Sequence, residues 1–173
     1  MTSVKTCHLP ECALLNRYAQ SGAYTDCYYL DVPAGVSLAQ YVCNFYTTPL
    51  FKVERSILAL ITRRPSTDKD AQDLACNQTT RFSAWDVEDR NSNQLLLRDF
   101  LGRTRSWLMV TPYEHAGSTS TRLYFGSAVV PKSVAPDGGA SLGVAFHALS
   151  GFHNRYSKAL LLAAGSKLCD SIR

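Results

Sequence analysis

One histidine occupies a position from which it could take part in proton transfer. His153 follows Phe152 at the edge of the apolar stripe of a predicted C-terminal helix, so its imidazole could point into a cavity. Because the unperturbed pKa of histidine lies near neutrality, such a side chain can act as a general base or bind a polar group of a ligand. A partly buried histidine with one backbone hydrogen bond is the structural alternative. His147 lies nearly on the opposite side of that helix, so the two histidines are not expected to cooperate.

Two arginines lie within apolar strand patterns and raise the question of an anionic ligand. Arg98 shares a face with Leu96, and Arg105 shares a face with Trp107. If these side chains point inward, each buried cation needs an anionic partner, and a carboxylate or phosphate on a ligand would supply it. If they point outward, they are ordinary surface arginines.

The acidic residues do not predict a pair of catalytic carboxylates. Asp26 and Asp31 flank the first predicted strand, but their odd spacing places them on opposite faces of that strand. Asp86 and Glu88 do share a face of a later strand. They could line a pocket, although carboxylates in such positions more often lie on a solvated surface.

The cysteines do not predict a metal centre. The only cluster is Cys7-His8 with Cys12, and a zinc site would need four ligands at suitable spacing. We interpret Cys27 and Cys43 as small buried side chains and the cysteines nearer the chain ends as exposed thiols. Sequence motifs for dinucleotides, phosphate loops, zinc hydrolases and serine hydrolases are absent, so we expect no cofactor and no metal.

The composition indicates one folded domain over 1–173. Of the 173 residues, 46% are apolar and 18% are charged, which is enough apolar material for a core and too little charge for a disordered chain. The formal charge of +4 includes no run of five like charges, so a nucleic-acid-binding surface is not indicated.

No segment of the sequence indicates a membrane span or a secretory signal. The longest apolar run, at 159–164, is far shorter than the roughly 18 residues that a spanning helix needs. The N-terminal residues lack the apolar core of a signal peptide. We therefore expect a cytoplasmic location, where thiols stay reduced.

The first half of the chain predicts an arm, a strand and two helices. Residues 1–22 form an N-terminal arm with about one helical turn that packs on the body of the domain, which begins near residue 24. Strand formers fill 26–32. Ser37 can cap a short helix, and Thr48 followed by Pro49 can begin a second. The second helix carries an apolar stripe, made by Leu50, Val53, Ile57, Leu60 and Ile61.

The second half predicts an antiparallel meander followed by a long helix. Residues 65–79 are polar and indicate a loop, the best candidate for a mobile lid. Four strand-like segments with short turns between them favour antiparallel pairing. They are 81–88, 94–100, 104–111 and 121–130. An amphipathic helix follows at 142–168, and the whole pattern of five strands with segregated helices predicts an α+β fold.

This order of elements resembles the helix-grip fold of the START and polyketide-cyclase superfamily. In that fold a curved antiparallel sheet wraps around a long C-terminal helix, and two short helices follow the first strand. Local strings are also similar to a bacterial group of domains of unknown function within that superfamily. They are Thr-Asp-Cys-Tyr at 25–28, the aliphatic helix at 51–61 and Gly-Phe-His at 151–153. The resemblance covers about 24–168 and implies a pocket between sheet and last helix, of the kind that holds lipids, sterols, polyketides or plant hormones.

The side chains expected to line such a pocket are mostly aromatic, with two arginines and one histidine. They are Tyr28, Trp85, Arg98, Arg105, Trp107, Tyr124, Phe152, His153 and Tyr156. A pocket of this composition would bind an apolar or amphipathic small molecule, although the same residues would also fill a solid core. Binding without turnover is the favoured hypothesis. Two alternatives stay open, namely a cyclase, hydratase or isomerase that uses His153 as its base, and a dimeric interaction module.

Overall fold

A mixed arrangement of sheet and helices makes up the fold. The computed structural model describes residues 3–115, 117–130 and 144–172, without the side chains of 61, 115, 144–153 and 172. Within these ranges the strands are β1 Lys5–Thr6, β2 Tyr24–Val32, β3 Arg81–Phe82, β4 Trp85–Arg90, β5 Gln94–Asp99, β6 Thr104–His115 and β7 Ser118–Val129. The helices are α1 Asn16–Gln20, α2 Leu38–Tyr46, α3 Pro49–Thr62, α4 Asp68–Ala75 and α5 Val144–Ile172.

The seven described strands form one antiparallel sheet in the order β1-β2-β7-β6-β5-β4-β3. The strands from β3 to β7 follow one another as a meander, and β7 returns to pair with β2 along its whole length. The predicted α+β class, the antiparallel sheet, the two helices after the first long strand and the long final helix are thus confirmed.

Two details of the prediction were wrong. The count of five strands becomes seven, because Lys5 and Thr6 add a short edge strand and the segment 81–88 is divided at Ser83, whose φ is 53°. Residues 65–79 are not a loop, since α4 lies within them. A reciprocal pair of hydrogen bonds between Thr67 and Asp70 caps this helix, and Leu74 is one of its buried apolar residues.

Helix starts follow the capping residues that the sequence indicated. Ser37 and Gln40 form a capping box at the start of α2, in which the Gln40 backbone donates to the Ser37 hydroxyl at 3.2 Å. Thr48 accepts from the Phe51 backbone at the start of α3, with Pro49 in the first helical position. These caps position α2 and α3 directly after β2, above one side of the sheet.

The main core lies between that side of the sheet, which we call the inner face, and the helices α2, α4 and α5. The buried strand residues of this core are Tyr28, Leu30, Val32, Phe82, Leu95, Leu97, Leu108, Val110, Leu123 and Phe125. They alternate along each strand, as expected for side chains that point to one side of a sheet. Helix α5 contributes Leu160, Leu161, Ala164 and Leu168 to the same core.

A glycine brings α5 close to the sheet. A Cβ atom added to Gly165 would lie 2.2 Å from Cδ2 of Leu30 and 3.8 Å from Cγ1 of Val32. The first distance is far below van der Waals contact, so no larger residue fits here unless Leu30 moves. Since Leu30 is only 2% exposed, it has little room to do so.

We expect Gly165→Ala to lower the free energy of unfolding by about 1–2 kcal/mol. Overpacking typically costs roughly 1–3 kcal/mol. A contact of 2.2 Å belongs to the upper part of that range, about 2–3 kcal/mol, and the better helix propensity of alanine offsets about 1 kcal/mol. Urea denaturation followed by circular dichroism measures the change. Ser166→Ala is the matched control, because Ser166 is the exposed neighbour of Gly165 on the same helix.

The steric clash of a Cβ atom at position 165 is with one side chain, that of Leu30. Leu30→Val removes the nearest carbon atom, so it should destabilise the Gly165→Ala protein less than it destabilises the unmodified protein. Equal costs in both backgrounds, or a Gly165→Ala protein as stable as the Ser166→Ala control, would show that α5 does not approach β2 as described.

Candidate functional site

A cavity of about 210 Å³ lies between the inner face and the helices α2, α3 and α5. Large apolar side chains form most of its wall. They include Phe45, Phe51, Trp85, Phe125, Val129 and Leu160. The sheet and three helices each supply part of this wall, so the cavity depends on the tertiary fold and not on one local motif.

A hydrogen bond across the cavity wall joins α5 to α3. The Tyr156 hydroxyl donates to a carboxylate oxygen of Glu54. Burial raises the pKa of Tyr156 far above its usual range, and the charge of Glu54 and this hydrogen bond raise it further. Tyr156 therefore stays neutral at physiological pH and acts as a hydrogen-bond donor, not as a base.

A second hydrogen bond in the cavity wall joins two hydroxyl groups. The Tyr46 hydroxyl and the Ser106 hydroxyl are 3.1 Å apart, joining α2 to β6. Burial raises the pKa of Tyr46, and the hydrogen bond with Ser106 only partly opposes this effect. This pair satisfies its own polar atoms and fixes α2 on the sheet.

Two buried donors in the cavity wall have no hydrogen-bond partner among the described residues. They are the indole Nε1 of Trp85 and the hydroxyl Oγ of Ser157. An unmatched buried donor costs about 1–3 kcal/mol. Both residues line the cavity, so a ligand inside it would lie against the side chains that carry these donors.

The structure brings together only some of the residues predicted to line a pocket. Trp85 and Tyr156 line the cavity. Tyr28 packs in the core of the inner face, and its hydroxyl donates to the side-chain oxygen of Asn154 at 3.0 Å. The side chains of Phe152 and His153 lie outside the described residues, so their predicted roles stay predictions.

Arg105 is buried, and an acidic residue of the protein is its partner. Its Nε lies 2.6 Å from Glu88, and it donates to the Tyr18 hydroxyl at 2.7 Å. The guanidinium also stacks over the Tyr18 ring, 4.5 Å from the centroid. Arg105 contributes to the cavity wall, but its charge is already matched by Glu88.

Trp107 and Tyr124 lie on the opposite side of the sheet, which we call the outer face. The outer-face cluster joins them to Leu96 and Met109, and Trp107 is fully buried there. Arg98 is exposed to solvent. These side chains are therefore away from the cavity, and no ligand contact in it is assigned to them.

The N-terminal arm covers this outer face; the sequence predicted that the arm packs on the body of the domain but not on which face. Leu15 is fully buried in the outer-face cluster and would touch a Cβ at Gly126, at 3.1 Å. The side-chain amide of Gln94 holds the arm: it accepts from the Leu14 backbone, donates to the Cys12 carbonyl and accepts from the Trp107 indole, each at 2.9 Å.

The carboxylates of β2 do not form a catalytic pair. Asp26 accepts from both the backbone and the hydroxyl of Ser127 at 2.8 Å, and Asp31 pairs with Arg122 at 2.7 Å. Both partners are the residues directly opposite on β7. The sequence argument that Asp26 and Asp31 act separately is confirmed.

The sequence analysis missed several residues of the cavity wall. Glu54 and Phe51 come from α3, and Ser157 comes from α5. The predicted stripe of α3 instead faces solvent in part, since Val53, Ile57 and Leu60 are 60%, 54% and 84% exposed. The sequence did contain a signal for Glu54. It lies about one helical turn after Phe51, so the two side chains are on the same side of α3.

The described residues contain neither a candidate metal centre nor a candidate membrane span. No group of three or more His, Cys, Asp or Glu in the described part of the chain could hold a metal ion. None of the described helices is long and apolar enough to cross a membrane. No protein-family model matches the sequence, and no curated protein matches it.

Removing the clamp on the arm should destabilise the protein. Gln94→Ala leaves the Trp107 indole, the Leu14 amide and the Cys12 carbonyl without their partner, so we expect a loss of about 2–5 kcal/mol in the free energy of unfolding. Trypsin should also cleave after Arg17 faster, because the arm is held less tightly. Gln78→Ala makes the same change at an exposed position and should alter neither measurement; unchanged cleavage in Gln94→Ala would refute the clamp.

Proposed function

We propose that the protein binds a small, largely apolar molecule with one hydrogen-bond acceptor, without turning it over. The observation that carries this proposal is the cavity between α5 and the inner face, with two unmatched donors in its wall. The resemblance to the START and polyketide-cyclase superfamily supports the same location. A helix-grip architecture and a cytoplasmic setting are parts of this proposal.

The size of the cavity limits the ligand. Its volume of about 210 Å³ lies below the roughly 300–1,000 Å³ that is typical of pockets for drug-sized ligands. Burial of apolar ligand surface contributes about 25 cal/mol per Å², and the loss of ligand freedom offsets several kcal/mol of it. A small ligand therefore needs its polar group to be recognised as well.

The charges around the cavity favour a neutral ligand. Glu54 places a carboxylate in the wall, and the charge of Arg105 is matched by Glu88. Arg105 is therefore not available to pair with an anionic ligand. The donors of Trp85 and Ser157 instead match a neutral carbonyl or ether oxygen.

The sequence also suggested two alternatives, an enzyme and a dimeric interaction module. The enzyme hypothesis depends on His153, whose side chain is outside the described residues. For the dimer hypothesis, the described residues offer the exposed apolar side chains of Val53, Ile57 and Leu60 on α3, and nothing in the described part of the chain says what covers them. Both stay predictions.

Binding is tested with a pair of small aromatic probes, acetophenone and ethylbenzene, which have similar shape but differ in the carbonyl acceptor. NMR titration should show that the protein binds both and prefers acetophenone. Leu160→Trp should abolish binding by filling the cavity, whereas Leu162→Trp should not, because Leu162 is 45% exposed on the same helix. Equal binding by the two variants would refute the proposed site.

The polar contact is tested separately. Ser157→Ala removes one donor, so it should weaken acetophenone binding by roughly 2–10-fold, the value of one neutral hydrogen bond. Ethylbenzene binding should not change. A similar loss for both probes would mean that Ser157 shapes the cavity but does not recognise an acceptor.

A further inference from the structure

The register of the sheet edge places two cysteines side by side. Strand β1 pairs Lys5 with Tyr29 and Thr6 with Tyr28 in antiparallel register. Continued by one residue, this register sets Cys7 opposite Cys27, and the Cys7 backbone donates to the Cys27 carbonyl at 3.0 Å. Directly opposite residues of an antiparallel pair point to the same face. The two sulfur atoms are accordingly 3.3 Å apart and share a hydrogen bond.

The two thiols differ in their access to solvent. Cys27 is buried in the outer-face cluster, with 2% exposure, whereas Cys7 is half-buried. Both line a second pocket of about 390 Å³, to which His8, Asp26 and Asn154 also contribute. A small oxidant in this pocket would therefore reach Cys7 first.

Their ionisation differs in the same sense. The hydrogen bond with Cys27 lowers the pKa of Cys7, burial opposes this effect, and the charge of Arg122 lowers the pKa further. The same hydrogen bond, burial and nearby negative charge raise the pKa of Cys27 far above its usual range. Cys7 is thus the sulfur that carries the thiolate, and the thiolate is the nucleophilic form.

We propose that Cys7 and Cys27 are a redox pair, in which hydrogen peroxide oxidises Cys7 and Cys27 then closes a disulfide. In the first step the Cys7 thiolate attacks a peroxide oxygen, the O–O bond breaks, and Cys7 becomes a sulfenic acid while water leaves after taking up a proton. In the second step the Cys27 sulfur attacks the Cys7 sulfur and the S–O bond breaks. A second water leaves with the Cys27 proton, so two thiols lose two electrons and hydrogen peroxide is reduced to two waters.

Closure of the bond needs little movement. The sulfur atoms must approach from 3.3 Å to about 2.05 Å. Strand β1 contains only two residues and lies at the edge of the sheet, so few contacts resist this shift. The bond would close the loop from Cys7 to Cys27, which contains α1 and the arm residues that cover the outer face.

The test treats the reduced full-length protein with hydrogen peroxide. We expect two fewer titratable thiols than the six free cysteines of the reduced protein and a mass lower by about 2 Da, the two hydrogens lost. The melting temperature should rise by roughly 5–10 °C, because the bond constrains the unfolded chain. Dithiothreitol should reverse all three changes.

Single variants assign the sulfur atoms and their order. Cys7→Ser should prevent the loss of thiols at Cys27, and Cys27→Ser should leave a sulfenic acid at Cys7 that dimedone traps. Cys12→Ser is the control: Cys12 is exposed and close to Cys7 in sequence, and its removal should leave the disulfide intact.

Three results would overturn the proposal. They are no loss of two thiols, a loss that persists in Cys7→Ser, and a loss that disappears in Cys12→Ser. None of these depends on the ligand cavity, because Cys7 and Cys27 belong to the outer face and do not line that cavity.

Discussion

The approach of α5 to β2 at Gly165 is the contact on which the arrangement of the inner face depends. At this point the helix backbone lies against Leu30 with no room for a side chain. Tyr156 lies nine residues earlier on the same helix, which corresponds to about 13 Å along its axis. There Tyr156 and Ser157 line the cavity together with side chains of α2 and α3. The same helix thus packs directly on β2 at Gly165 and forms part of the cavity wall nearer its N-terminal end.

The polar groups of the two sheet faces serve different purposes. On the outer face, Gln94 bonds to the arm backbone at Leu14 and Cys12. Arg105 pairs with Glu88 and donates to Tyr18 of α1. Breaking either set would leave buried polar atoms without partners, which is costly in a protein interior. Beside the inner face, the donors of Trp85 and Ser157 have no partner among the described residues. The proposed binding role therefore concerns the inner face, whereas the polar groups of the outer face anchor the arm.

The sequence predicted the alternation of the strands but not which face is which. The sequence predicts that Arg105 and Trp107 share a face, and the structure agrees: Trp107 belongs to the outer-face cluster and Arg105 contacts Tyr18 of the arm. The choice between faces failed because polarity normally identifies the solvated side. Here the arm covers the outer face, so both faces are apolar and periodicity alone carries no information about which one contacts α5. Glu54 was missed for a related reason, since its partner Tyr156 is 102 residues away in sequence.

Helix α3 is anchored more weakly than the other walls of the cavity. Among its described side chains, Phe51 is the buried one, while Val53, Ile57 and Leu60 face solvent. Its ion pairs to Asp68 lie near the surface, where such pairs contribute little. The free energy needed to open this helix locally is consequently lower than that of the sheet, so its amide hydrogens should exchange with solvent well before those of β6 and β7.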